Sequence, residues 1–307
     1  ELAETVELTV LAGREGLSNR LRAWRIQKLG LVLQGHVEQV HTGRIQIIGS
    51  TEIGYCRSIS EAQLREHLEE ACRAGVTAFL ITKGLPPPAG LLEVADTHSV
   101  PVLRSGVSSS ETVGAVQDHL EDRLAPRLRV HGVQLDVSGL GVLLLGESGI
   151  GKSECALDLV SRGHRLVADD LVEVRRLHSA LVAVGPKELR HHMELRGIGI
   201  INIKDLFGVS ALCERKEVEL VLRLVRWKAG AEYERLGVDD REEDLLERKV
   251  PYVELPVRPG RNLALLVEVA ARNQLLRREG YHPARALVDR LDQDVAAAGQ
   301  RARNEDG

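Results

Sequence analysis

The chain has 307 residues, enough for two domains that each bury a core of their own. Hydrophobic residues make up 43% and charged residues 28%, and the net charge of −4 comes with both signs mixed along the chain, which excludes a sustained basic face. Nucleic acid and anionic membrane are therefore not expected partners, and no apolar run reaches the roughly 18 residues of a bilayer-crossing helix.

Aromatics are only 3%, so the cores must be built from Leu, Val, Ile and Ala, and a surface that stacks single-stranded bases is not expected. The opening Glu1-Leu2-Ala3-Glu4 has neither the basic start nor the apolar stretch of a signal peptide. Cys56, Cys72, Cys155 and Cys213 form no C-x-x-C pair, which argues against a zinc site and for free thiols in a reducing compartment. Together these features predict a cytoplasmic protein.

In chain order, Thr5–Leu11 and Arg44–Ile48 carry the alternating or bunched β-branched residues of strands. Residues 59–74 have the apolar spacing of a surface helix. The run 78–82 (AFLIT) reads as a buried strand stopped by Pro86-Pro87-Pro88. A short helix over 91–98 and a strand over 100–104 follow. Ser108 and Glu111 form a capping box that opens a helix to about Arg123. Strand and helix alternating in this way predict an α/β domain over residues 1–126, closed at Ala125-Pro126.

A second domain is expected over 127–307. Strands are predicted at 133–137 and 141–145, joined near Ser138-Gly139, with His131 just ahead of the first. Further strands are expected at 166–167, 181–184, 218–224 and 252–257. A helix from about Leu263 to Arg278 stops at Gly280, another starts near Pro283, and the last seven residues read as a tail.

The strongest local signal is Gly146-Glu147-Ser148-Gly149-Ile150-Gly151-Lys152-Ser153, which follows the apolar run Leu143-Leu144-Leu145 and precedes a helical pattern. This is G-x-x-x-x-G-K-[ST], whose glycines let consecutive N–H groups turn inward onto phosphate oxygens. Lys152 would reach the terminal phosphates and the Ser153 hydroxyl would ligate Mg²⁺. Close behind it, Arg165-Leu166-Val167-Ala168-Asp169-Asp170 ends an apolar run in two carboxylates. If its strand neighbours the phosphate-loop strand, one acid can hold the metal and the other act as a base. The residues thus predict an enzyme that moves a phosphoryl group using a nucleotide and Mg²⁺.

Other candidates are weaker alone. Glu194 and Arg196 sit in MELRGIGI, where Gly197 and Gly199 suggest a loop that approaches something closely. Arg235, in YERLG, could neutralise phosphate charge. Arg258 and Arg261, in PVRPGRN, could bring two cations to a phosphate from a strand-to-helix link. His164, His191 and His192 show no metal-ligand spacing and read as structural.

The runs at 131–154 (HGVQLDVSGLGVLLLGESGIGKSE), 162–170 (RGHRLVADD), 193–203 (MELRGIGIINI), 233–237 (YERLG) and 256–262 (PVRPGRN) together resemble HPr kinase/phosphorylase. The resemblance covers the second domain in order, and GHVEQVHTGRIQIIGSTE (35–52) extends it more loosely into the first. It implies a bifunctional enzyme that phosphorylates a serine of the phosphocarrier HPr with ATP and reverses this by phosphorolysis, with phosphate entering and pyrophosphate leaving. The fold it implies is α/β with a carboxy-terminal P-loop kinase domain resembling the phosphoenolpyruvate carboxykinase core, assembled as a homohexamer.

Carried over by motif, Gly146–Ser153 bind nucleotide phosphates, Ser153 and Glu194 bind Mg²⁺, and Lys152 and Arg235 act on the phosphates. Asp170, with Asp169 beside it, exchanges a proton with the serine, the choice between the two aspartates being left open, and His131 assists. Pro256, Val257, Arg258, Pro259, Gly260 and Arg261 resemble the segment associated with dephosphorylation. After Asp205-Leu206-Phe207-Gly208 the chain has Val209-Ser210-Ala211-Leu212-Cys213 where the family usually has a run such as AGAV. The rival readings are a small-molecule kinase or carboxykinase-like enzyme and a non-catalytic nucleotide sensor.

Overall fold

A computed structural model describes residues 7–178, 180–230, 233 and 240–293. Arg235 and the tail from 294 lie outside the described residues. The chain divides into two compact units between Ala125 and Pro126.

The first unit contains β1 (Thr9–Ala12), β2 (Gln27–Lys28), β3 (Ile45–Ile48), β4 (Ala78–Ile81) and β5 (Val102–Arg104). They form one sheet in the order β1-β5-β4-β3-β2, with β2 to β5 parallel and β1 antiparallel at the edge. β3 and β4 are buried on both faces, which is why IQII and AFLI read as continuous runs rather than alternation. One face packs under the helices Gly30–Leu33, Ser50–Cys56, Glu61–Arg73 and Leu91–Thr97 around Phe79, Ile48 and Leu68. The other lies under the helix Ser109–Leu124 through Val116 and Leu120. The capping box expected at Ser108 forms, with the Glu111 amide donating to Ser108 Oγ and Glu111 Oε2 accepting from the Ser108 amide.

The second unit is built on a nine-stranded sheet. β6 (Arg127–Val137) and β7 (Leu140–Gly146) form a hairpin over Ser138-Gly139. β6 starts several residues before the expected strand, so His131 lies inside it rather than ahead of it. The helix Lys152–Ser161 follows β7. β8 (Arg165–Ala168) and β9 (Leu171–Leu177) come next, then β10 (Ala180–Val184) and the hairpin of β11 (His192–Leu195) with β12 (Gly199–Asn202). β13 (Arg215–Glu217), β14 (Leu220–Arg226), β15 (Glu242–Leu245), β16 (Arg248–Val257), the helix Leu263–Arg278 and a helix over 283–293 complete the described chain.

The sheet order is β13-β10-β9-β6-β7-β14-β16-β15, and β8 also pairs with β6. β7, β14 and β16 run parallel, so their carboxyl ends open on the same edge. β7 is sandwiched: Val142 and Leu144 face the core shared with the helices Lys152–Ser161 and Leu263–Arg278, while Leu143 and Leu145 face a second core with Val172, Val174 and Val221.

Two local expectations are corrected. The strand ending in the aspartates does not neighbour the phosphate-loop strand: β8 pairs antiparallel with β6, which stands between them. Asp169 and Asp170 follow the end of β8, which pairs with the far half of β6, while β9 pairs with its near half. The pair therefore forms a break in one long antiparallel edge, with the Gly132 amide donating to the Asp170 carbonyl at 3.1 Å. Gly197 and Gly199 approach none of the described residues: a Cβ on either would meet open space there. They serve the β11–β12 turn, with φ of +86° and +99°.

Candidate functional site

The phosphate loop leaves β7 at Gly146. A Cβ there would stand 2.8 Å from the Leu224 carbonyl oxygen of the adjacent strand, and φ is +151°, so only glycine lets the loop start this close to β14. The loop ends at the amino terminus of the helix Lys152–Ser161, whose first amides have no partner within the helix and favour negative charge.

Lys152 is 6% exposed, and its Nζ donates to the carbonyls of Gly146 (2.9 Å) and Glu147 (3.0 Å). Burial lowers its pKa, against the pull of Asp169, Asp170 and Glu154. The Ser153 hydroxyl donates to Asp169 Oδ1 at 2.9 Å. Asp169 is buried, and that burial raises its pKa despite hydrogen bonds from Ser153 and from the amides of Asp170 and Glu194. Asp170 has φ of +66°, and this left-handed turn sends the two adjacent carboxylates different ways. Its Oδ1 lies 3.0 Å from His131 Nδ1, both side chains being more than half exposed.

One cleft of about 100 Å³ is lined by Ser148, Gly149, Gly151, Lys152, Ser153, Asp169, Asp170, His131, Glu194 and Arg196, all raised as candidates by the sequence, together with Glu154. Arg196 lies against the loop: a Cβ on Gly149 would come 2.6 Å from its Nη1. Among the described residues no group of three or more His, Cys, Asp or Glu is arranged to hold a metal ion. The oxygen donors that are present, Ser153 and Asp169 in contact and Glu194 on the cleft wall, suit a hard cation that keeps water and phosphate oxygens for its other ligands.

Some expected groups are not in this cleft. The segment Pro256–Arg261 links β16 to the helix Leu263–Arg278, as expected, but none of its residues lines the cleft. The Arg261 Nη1 donates to the Pro256 carbonyl at 3.0 Å, so this cation is spent on its own turn. Asn262 caps the following helix through the Leu265 amide. His164 is structural, its Nε2 lying 2.9 Å from Glu268 Oε1.

A larger cavity of about 880 Å³ takes in Gly146 and Glu147 of the loop and His131 of β6, and is lined also by groups that sequence reasoning missed, among them Arg223, Arg226 and Lys228. Arg226 Nε donates to Glu147 Oε2 at 3.2 Å. The available signal was their place at the end of a strand running parallel to β7, where sheets of this type present ligand-binding groups.

Comparison with known proteins gives matches over nearly the whole chain. Residues 1–120 match the family HPr Serine kinase N terminus, and residues 122–291 match the HPr Serine kinase C-terminal domain. The HPr kinase/phosphorylase of Geobacter sulfurreducens is 48% identical over 287 residues, covering 93% of this chain and 90% of that protein. The protein of the same name from an Exiguobacterium species is 40% identical over 292 residues, covering 95% and 94%. A solved structure of the Hpr(Ser) kinase/phosphatase from Coxiella burnetii is 36% identical, covers 50% of this chain and 94% of that one, and superposes with a TM-score of 0.47. On the family matches and these identities, the chain belongs to the HPr serine kinase family.

Proposed function

We propose that this chain transfers the γ-phosphoryl group of ATP to a serine hydroxyl of HPr, leaving ADP, and that it reverses the modification by letting inorganic phosphate attack the phosphorus of the phosphoserine, releasing pyrophosphate and HPr with its serine hydroxyl restored. The observation that carries this reading is the convergence of Lys152, Ser153, Asp169, Asp170, His131 and Glu194 on one cleft at the phosphate loop.

Gly146–Ser153 bind the nucleotide phosphates, and Lys152 exchanges its two loop carbonyls for phosphate oxygens when nucleotide enters. Ser153, Asp169 and Glu194 would hold Mg²⁺, which would neutralise phosphate charge. Asp169 is the aspartate on the metal side, because it already holds the Ser153 hydroxyl and is buried at the cleft wall. Asp170 is the base: it is accessible and beside His131, whose Nδ1 fixes its carboxylate. It takes the proton from the serine oxygen as that oxygen bonds to phosphorus, and returns it to the serine in the reverse direction. A hydroxyl needs this help; inorganic phosphate already carries oxyanions and needs it less. Arg235 neutralises charge on the moving phosphoryl group, and Pro256–Arg261 serves the reverse reaction.

The parallel strands feeding the loop support a P-loop kinase core of the phosphoenolpyruvate carboxykinase type. We further infer a cytoplasmic homohexamer; no helix of the described residues is long and apolar enough to cross a membrane. Incubation with ATP, Mg²⁺ and purified HPr should add one phosphate to HPr by mass spectrometry, and phosphate should then remove it with formation of pyrophosphate. HPr of unchanged mass, with ATP consumed only when a metabolite is supplied, would reject this reading in favour of a small-molecule kinase. Sedimentation at six times the chain mass tests the assembly.

A further inference from the structure

The first unit holds a cavity of about 410 Å³ whose polar groups the phosphoryl-transfer reading does not use. It lies where β2, β3 and β4 end: Lys28 closes β2, Gly49 to Glu52 follow β3, and Lys83 stands just beyond β4. The crevice outside the carboxyl ends of parallel strands is the place where such sheets bind small ligands.

Two ammonium groups line it. Lys83 Nζ donates only to the Ser50 hydroxyl, at 3.2 Å, and neither Lys83 nor Lys28 is ion-paired among the described residues. Ser109 and Ser110, the first residues of the 16-residue helix Ser109–Leu124, bring amides that the helix itself leaves free. Ser109 Oγ is held 2.7 Å from the fully buried Thr82 hydroxyl.

A different kind of group stands among these donors. Glu52 is 8% exposed and lines the same cavity. Its Oε2 accepts the Gly49 amide at 2.9 Å, and its other oxygen has no hydrogen-bond partner among the described residues. A carboxylate oxygen that lines a cavity without a protein donor is able to accept from a ligand hydroxyl. Two unpaired cations call for a dianion.

We propose that this cavity binds a small phosphate ester bearing free hydroxyls, a sugar phosphate or a nucleoside monophosphate, with the phosphate on Lys28, Lys83 and the Ser109–Ser110 amides and a hydroxyl donated to Glu52. The site shares no residue with the phosphate-loop cleft, so it stands or falls independently of the reaction assigned there.

Calorimetric titration of the full chain with ribose 5-phosphate, AMP, ribose and inorganic phosphate tests it. In the wild type, one or both esters should bind at a single site more tightly than inorganic phosphate, and ribose should not bind. Lys28→Ala/Lys83→Ala should weaken the ester by at least about tenfold. Lys152→Ala should leave it unchanged, and Glu52→Gln should abolish the preference over inorganic phosphate. The tighter of ribose 5-phosphate and AMP identifies the sugar or nucleotide source. Three results overturn the proposal: no ester binds, binding survives loss of both lysines, or Lys152→Ala removes it. A preference that persists in Glu52→Gln removes the hydroxyl contact and overturns it as stated. Because Glu52 also caps its helix, thermal midpoints check that variant, and the two exposed lysines decide if it fails to fold.

Discussion

Asp169 and Asp170 are adjacent in sequence, yet they occupy different environments and should fail differently. Asp170→Asn keeps the loop and the Ser153–Asp169 contact, so it should retain ATP binding. Loss of a general base costs on the order of 10²–10⁴ in rate, and serine phosphorylation should fall by at least about 100-fold. A competent Asp170→Asn kinase, measured by phosphate incorporation into HPr, would remove that aspartate from the chemistry. Asp169→Asn should instead weaken Mg²⁺-dependent nucleotide binding while raising thermal stability. Burial raises the Asp169 pKa above 3.8, so the folded state holds this proton more tightly than the unfolded chain. The associated stability is full below 3.8 and is lost as pH rises through the folded-state pKa, so near neutrality the ionised carboxylate destabilises the fold. Melting curves across pH should show the wild type losing an increment that Asp169→Asn keeps; parallel curves would contradict the assignment. At this scale the phosphate loop was legible because its geometry is local. The split between the aspartates was not, because it depends on the left-handed turn at Asp170 and on what β6 and β11 place around it.

Elements were legible where the signal is carried by a short stretch of chain. The helix Ser109–Leu124 follows its capping box, and the helix Leu263–Arg278 ends two residues before Gly280. β9 was missed because Asp169-Asp170 reads as an ending, whereas the chain resumes the same antiparallel edge one residue later. β11 and β12 read as a loop in the sequence, since their pairing is with each other across two glycines. Two glycines in different elements should respond oppositely to alanine. In β7, a Cβ on Gly141 would stand 1.7 Å from the Glu217 carbonyl oxygen, a backbone atom that cannot yield without moving the chain. Gly141→Ala should therefore cost at least about 2 kcal/mol, read as a lower denaturant midpoint at unchanged slope. Gly114 lies in the helix Ser109–Leu124 with open space where its Cβ would go. Gly114→Ala should stabilise by about 0.5–1 kcal/mol in the same experiment. A neutral Gly141→Ala would mean that β7 does not lie against the connection into β14 as described.

The molecule as a whole consists of two units, each with a core of its own. Phe79, Leu68 and Ile48 anchor the first, and Leu144, Leu159 and Leu222 anchor the second. A unit with its own core is expected to fold alone. Residues 126–307 expressed by themselves should bind ATP with Mg²⁺ to within about threefold of the full chain, since every described residue of the cleft lies among them. Equilibrium titration of both proteins with ATP checks this, and loss of binding in the isolated unit would show that residues 1–125 complete the site.

Sequence alone determined the features that need only neighbours along the chain: the phosphate loop and its flanking strand and helix, the capping box at Ser108, the strand-to-helix link at 256–262, and the family to which the ordered motifs belong. Tertiary structure decided which strand lies beside which, and through that the cleft. β6 intervenes between β7 and β8, so Asp169 reaches Ser153 and Asp170 reaches His131 from an edge that no local pattern specifies. It also decided that Glu52, Lys28 and Lys83 share one cavity. Strand order is set by the burial of whole faces against one another, a property of the summed chain rather than of any window within it.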